Sequence, residues 1–227
     1  MSKSEAVRFA LGFLMALGIF VVWSPLSKAA TLYVDPTLGD SASETYDPVS
    51  RSCGAGRDRA YRTLAGAAGV AEAGDTVLVR EGVYNEPLIP RNSGEAGRPI
   101  TFRPFGSERV LITGELRPAI NIENRQYIVI EGLEVSDVVR WLYAVNAHYN
   151  VIRGNIFKRA TDPGQSSKTG LYFQDSTHNK ILNNTIEGST LDLLSFVSAD
   201  RNLAEGNIMR EGQHALWTIR CGNYNVI

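Results

Sequence analysis

The chain has 227 residues, 44% of them hydrophobic and 21% charged, enough to bury a substantial core as one domain and too apolar for wholesale disorder. Its 23 Lys and Arg against 24 Asp and Glu give a formal net charge of −1, which leaves no global electrostatic case for a nucleic-acid partner. Two cysteines are too few to staple a scaffold, while 21 glycines suit a turn-rich, strand-rich fold.

Residues 1–8 carry Lys3 and Arg8, residues 9–23 form an unbroken apolar run, and Ser27, Lys28 and Ala29 follow. This pattern predicts a secretory signal peptide over residues 1–29, because fifteen apolar residues fall short of the ~20 that a membrane span needs. Left uncleaved, the same run is an N-terminal membrane anchor. Either way the remainder is exported, to the periplasm, the cell surface or the medium. Export permits a disulfide, but Cys53 and Cys221 stand far apart in the chain and are expected as two free thiols.

Residues 30–59 read as a short strand, Thr31-Leu32-Tyr33-Val34, and an ordered loop rich in Ser, Asp, Gly and Pro. Residues 60–73 lack proline and space Leu64, Ala67, Ala68 and Ala71 as an amphipathic helix that Gly74 ends. From there to residue 227 the texture is short β-branched runs, such as Thr76-Val77-Leu78-Val79 and Val110-Leu111-Ile112, closed by Gly, Pro, Asn or charge.

The decisive signal is an internal repeat. Asn150, Asn179, Asn202 and Asn225 are 29, 23 and 23 residues apart, and Asn155, Asn184 and Asn207 are 29 and 23 apart. The earlier run from Tyr127 to Val135 fits the same pattern 22 residues before Val151 and Ile152. A period of 22 to 23 with three short strands predicts an all-β parallel solenoid, in which each coil stacks on the last and buries a continuous apolar column. A leucine-rich repeat of similar period would want Leu-x-x-Leu-x-Leu spacing and a helical segment in each unit, and neither is present. Recurring asparagines then stack as a ladder, and the helix over residues 60–73 plugs the first coil. The chain stops inside a repeat, at Asn225-Val226-Ile227. C-terminal coils are therefore expected to be missing.

The phrase Gly74-Asp75-Thr76-Val77-Leu78-Val79-Arg80-Glu81-Gly82-Val83-Tyr84, the later Ser93-Gly94-Glu95-Ala96-Gly97-Arg98-Pro99-Ile100-Thr101-Phe102 and the Ile130-Glu131-Gly132-Leu133 turn resemble the first coils of right-handed parallel β-helix proteins. That superfamily includes pectate lyase-like and chondroitinase B-like or alginate lyase-like enzymes. The resemblance covers residues 31–227 and implies the fold, with polysaccharide as the partner. The multi-Asp and Asn-Lys-Ser-Glu-like signatures of the family are absent, so no catalytic residue carries over by motif.

Strand alternation offers candidate residues. With Leu142, Leu171, Leu194 and Trp217 inward, three rows face out: Trp141, Gly170, Leu193 and Leu216; Tyr143, Tyr172, Ser195 and Thr218; Val145, Gln174, Val197 and Arg220. Trp141, Tyr143, Tyr172 and Gln174 are thus the expected substrate-binding residues, their rings suited to stacking on sugars. A uronate lyase of the fold needs a cation to neutralise the substrate carboxylate, often Ca²⁺, and a Lys or Arg to deprotonate the neighbouring carbon. Lys168, at the end of the excursion Arg159 to Lys168 in the coil from Asn155 to Asn184, which is six residues longer than its neighbours, and Arg220 are the candidates for catalysis. Asp175, Glu187, Asp192, Asp200 and Glu205 form no clustered ligand set and read as solvated surface charge, so no metal ligand is assigned and Ca²⁺ stays only as the cofactor the resemblance allows. His148, His178 and His214 have no metal-binding spacing and read as structural or exposed. Two functions stay open, a secreted lyase acting on acidic glycans by β-elimination and a non-catalytic glycan-binding or adhesion solenoid.

Overall fold

The structure, a computed structural model, describes residues 28–161 and 170–227. The leader expected over residues 1–29 falls almost wholly outside these, as does Lys168. Among the described residues no helix is long and apolar enough to cross a membrane.

The N-terminal part contains β1 (Thr31–Val34), β2 (Ala42–Asp47), β3 (Ser52–Cys53), β4 (Asp58–Tyr61) and the helix α1 (Leu64–Ala68). The coils then follow. The first holds β5 (Thr76–Val79) and β6 (Gly82–Tyr84), the second β7 (Ile100–Pro104), β8 (Val110–Ile112) and β9 (Ile120–Asn121), the third β10 (Ile128–Glu131), β11 (Glu134–Val138) and β12 (Leu142–Val145). Next come β13 (Val151–Arg153), β14 (Ile156–Ala160) and β15 (Leu171–Gln174), then β16 (Lys180–Leu182), β17 (Thr185–Ser189) and β18 (Leu194–Val197), and last β19 (Leu203–Glu205), β20 (Ile208–Gly212) and β21 (Trp217–Arg220).

Equivalent strands pair in parallel from coil to coil and make three sheets of ten, six and five strands. The molecule is a right-handed parallel β-helix. Its core follows from the alternation of the strands: the column Phe102, Ile130, Ile152, Ile181 and Ala204 runs up the first sheet, Ile112, Val135, Phe157 and Ile186 up the second, and Ala144, Phe173 and Phe196 up the third. All of these are buried. Register is fixed because a slip of one residue would turn such a column out to water.

Coils must bend between sheets, and each corner recurs in the left-handed backbone region. Tyr127, Tyr149, His178, Arg201 and Tyr224 have φ between 54° and 58°, and Gly132, Gly154, Asn183 and Gly206 repeat the device at the next corner. Bulky residues rarely adopt this conformation. The asparagine following each of the second to fifth holds the bend closed. Asn150 Oδ1 accepts from the Ile128 amide at 2.8 Å, its Nδ2 donates to Asn179 Oδ1 at 3.0 Å, and Asn179 repeats the contact to Asn202 and Asn202 to Asn225. A second ladder, Asn155, Asn184 and Asn207, does the same at the neighbouring corner. The expected ladders are both present, and the buried amides use nearly all of their donors and acceptors.

Two N-terminal expectations change. The helix covers Leu64–Ala68 rather than residues 60–73, since Ala60 and Tyr61 pair with β1 as part of β4. The region expected as a loop up to Arg59 instead supplies β2, which pairs antiparallel with β4, and β3, which pairs antiparallel with β2 at the edge of the first sheet. Thr63 caps the helix, its Oγ1 accepting from the Gly66 amide at 3.0 Å, and Leu64, Ala67 and Ala68 seal the end of the core. Cys53 and Cys221 are exposed free thiols.

Candidate functional site

The third sheet positions the expected site residues. Its register pairs Tyr143 with Tyr172, Tyr172 with Ser195 and Ser195 with Thr218, and in the parallel row Val145, Gln174, Val197 and Arg220. These rows place Tyr143, Tyr172, Gln174 and Arg220 on one side of the sheet, where Arg220 is exposed, Tyr143 and Gln174 are half-buried, and Tyr172, only 5% exposed, is covered rather than open to solvent as expected. The two phenol rings lie nearly parallel, 8° apart with centroids at 5.9 Å. Tyr172 donates to Gln174 Oε1 at 2.8 Å, Gln174 Nε2 donates to Asp175 Oδ2 at 3.0 Å, and the Arg140 guanidinium stands 5.4 Å from the Tyr143 ring centre. Burial, then the neighbouring Tyr143 and Asp175, push the Tyr172 phenol above its ordinary range, against the opposing pull of Arg220 and Arg140.

Trp141 does not join this face. It lies ahead of β12, in the bend where strand alternation no longer applies, and turns inward. Its indole is fully buried against Phe157 and donates to the Lys158 carbonyl at 3.1 Å. Gly170 and Leu193, in the same row, are buried too. Gly170 is required by close approach, as a Cβ there would stand 2.3 Å from the carbonyl oxygens of Asp192 and Leu193.

Asp192 is also not the solvated charge expected of it. Its side chain is 5% exposed, Oδ2 accepts from Ser195 Oγ at 3.1 Å, and Oδ1 lies 2.5 Å from His214 Nδ1. The signal for this pair is in the sequence, because Asp192 and His214 are 22 residues apart, one coil period.

Beside the face, where β8, β11, β14, β17 and β20 end, a groove of about 880 Å³ crosses five successive coils. Glu115 and Arg117 line it at one end, Asp137 and Arg159 in the middle, and Ser189 and Gln213 toward the other. Arg159 clasps Asp137 through Nε and Nη2 at 2.5 and 2.6 Å and holds its carboxyl down to about 2. On a different corner Tyr127, Tyr149 and His178 stack at 5.1 and 4.8 Å, and His148 lies within 3.1 Å of Thr177 Oγ1. Burial and the nearby His178 lower the His148 pKa. Among the described residues no three His, Cys, Asp or Glu side chains converge as a metal site. The described acidic side chains do not gather into the oxygen-rich cage that calcium takes.

Fold and groove together define a parallel β-helix with a lateral cleft. The chain belongs to the family described as periplasmic copper-binding protein (NosD), whose model matches residues 104–227. Uncharacterized protein YwoF of Bacillus subtilis (strain 168) is 38% identical over 114 residues, 47% of this chain and 22% of its own. Pectate lyase PEL9 of Emericella nidulans is 27% identical over 88% of this chain and 50% of its own. The chain thus spans half or less of the length of these curated relatives. The crystal structure of an alginate lyase from Paenibacillus sp. str. FPU-7 superposes with a TM-score of 0.54 at 20% identity, over 63% of this chain and 54% of that one, a likeness of fold.

Proposed function

We propose that this is an exported protein that acts on polysaccharide, engaging an acidic glycan along the groove and across the Tyr143–Tyr172 face. The observation that carries the reading is the juxtaposition of a cleft long enough for an extended chain with a sheet face that presents the Tyr143 ring, backed by the buried Tyr172, together with an amide and Arg220. Rings give apolar contact to sugar faces, Gln174 gives hydrogen bonds, and arginine matches carboxylates. The pectate lyase relative, the signal-like residues 1–29 and the family's periplasmic description support the same assignment.

The chemistry proposed is β-elimination of a uronate. Arg220 serves best as the cation that faces the substrate carboxylate, because a guanidinium stays protonated and is a poor proton acceptor. The second reading, a glycan-binding solenoid without catalysis, is favoured by one observation: Arg159 and Asp137 in the groove already neutralise each other. Incubation with polygalacturonate, alginate and chondroitin, with and without Ca²⁺, tests both. Ultraviolet absorbance of the unsaturated product together with retention in glycan-containing native gels is expected for the lyase, retention alone for the binding module, and neither if the reading is wrong. Tyr143→Ala is expected to weaken retention about tenfold, equivalent to about 1.4 kcal/mol.

A further inference from the structure

We propose that Asp192 and His214 form the general-base dyad of this site, an assignment that rests on the uronate-glycan reading above. The argument begins with the carboxylate. Asp192 is almost fully withdrawn from solvent, yet among the described residues its two oxygens accept from Ser195 Oγ and His214 Nδ1 alone. A carboxylate offers only acceptors, so the hydrogen it shares with the imidazole sits on Nδ1. In the neutral imidazole so held, the lone pair lies on Nε2, the tautomer a base requires.

Position gives this nitrogen a purpose. His214 directly follows Gln213, which lines the groove, and its side chain is 62% exposed. Asp192 is tied to Ser195, whose register partner is Tyr172 on the aromatic face. The imidazole is therefore held where groove and face meet, with its orientation set from below by a buried acid.

In the reaction, Nε2 takes the proton from C5 of the uronate. The C5–H electron pair becomes the C4=C5 double bond, and the C4–O bond breaks with its pair going to the glycosidic oxygen. That oxygen takes up a proton from water, and the imidazolium returns its own to solvent, so charge and atoms balance.

The test uses the 227-residue chain with polygalacturonate and alginate as probes, reading product absorbance and gel retention for each variant. His214→Ala is expected to lower kcat by about 10²- to 10⁴-fold with KM and retention near wild type, and added imidazole to restore part of the rate. His214→Gln, which can still donate to Asp192 but has no basic nitrogen, is expected to lose as much. A wild-type rate in either variant overturns the dyad. A wild-type chain that is retained in the gels but forms no product overturns the dyad and leaves glycan binding standing. A folded chain neither retained nor active overturns the glycan reading and the dyad with it.

Discussion

At the residue scale, the asparagines bear the heaviest demand. Asn179 is fully buried, and its amide bonds Asn202 Oδ1 and the Ala147 carbonyl while its own Oδ1 serves Asn150. Asn179→Ala strands several buried backbone partners at once, and a loss of about 1–3 kcal/mol in urea unfolding is the expected result. Asp35 is a second such residue. It is buried, which alone would raise its pKa, but Arg51, Tyr46 and Thr37 all donate to it and together hold it well below the usual carboxylate range. A group depressed in the folded state adds stability above its unfolded pKa of about 3.9 and loses it as pH falls toward the folded value. Thermal unfolding followed from about pH 5 down to pH 2 should fall more steeply in the wild type than in Asp35→Asn, which starts less stable. The spacing of the asparagines was legible in the sequence because a ladder needs one residue type at one interval. The Asp35 cluster was not, since Asp35, Arg51 and Arg80 lie in irregular chain, Tyr46 lies in β2, and the four meet only through the fold.

At the scale of elements, what could be read was what repeats. The strands of the third, fourth and fifth coils follow from alternation and Gly or Asn punctuation, and alternation also brought Tyr143, Tyr172, Gln174 and Arg220 to one face. It failed at Trp141 because the residue stands in a bend, and at residues 60–63 because strand pairing with β1 competes with helix formation. The dyad and several ion pairs needed a different rule: side chains one period apart are neighbours. Glu131 and Arg153, and Asp137 and Arg159, are each 22 residues apart, and Glu187 and Arg210 are 23 apart. Gly170 tests how tightly elements abut. Gly170→Ala drives a methyl group into the backbone ahead of β18, with an expected cost of about 1–3 kcal/mol in unfolding experiments. The same change displaces Asp192 from Ser195, so it should lower product formation beyond the loss of folded protein.

For the whole molecule, stability is a sum of contacts between adjacent coils. One end is sealed by α1 together with β4, β2 and β3. At the other, Leu216 and Trp217 are 44% and 50% exposed, although their equivalents Leu193 and Leu194 one coil earlier are fully buried. Near-neighbour coupling also has a consequence for how such a chain can change length. The two asparagine ladders both advance by 23 residues between the fifth and sixth coils, from Asn179 to Asn202 and from Asn184 to Asn207. Excision of residues 180–202 joins Asn179 to Leu203 and brings Asn207 to the place of Asn184, so both ladders close again over one coil fewer. A chain shortened by 22 or 24 residues at the same point breaks both. Soluble yield and cooperative melting of the three deletions should divide along that line, and inheritance by whole coils, gained or lost in one event, is the kind of ancestry such an architecture permits.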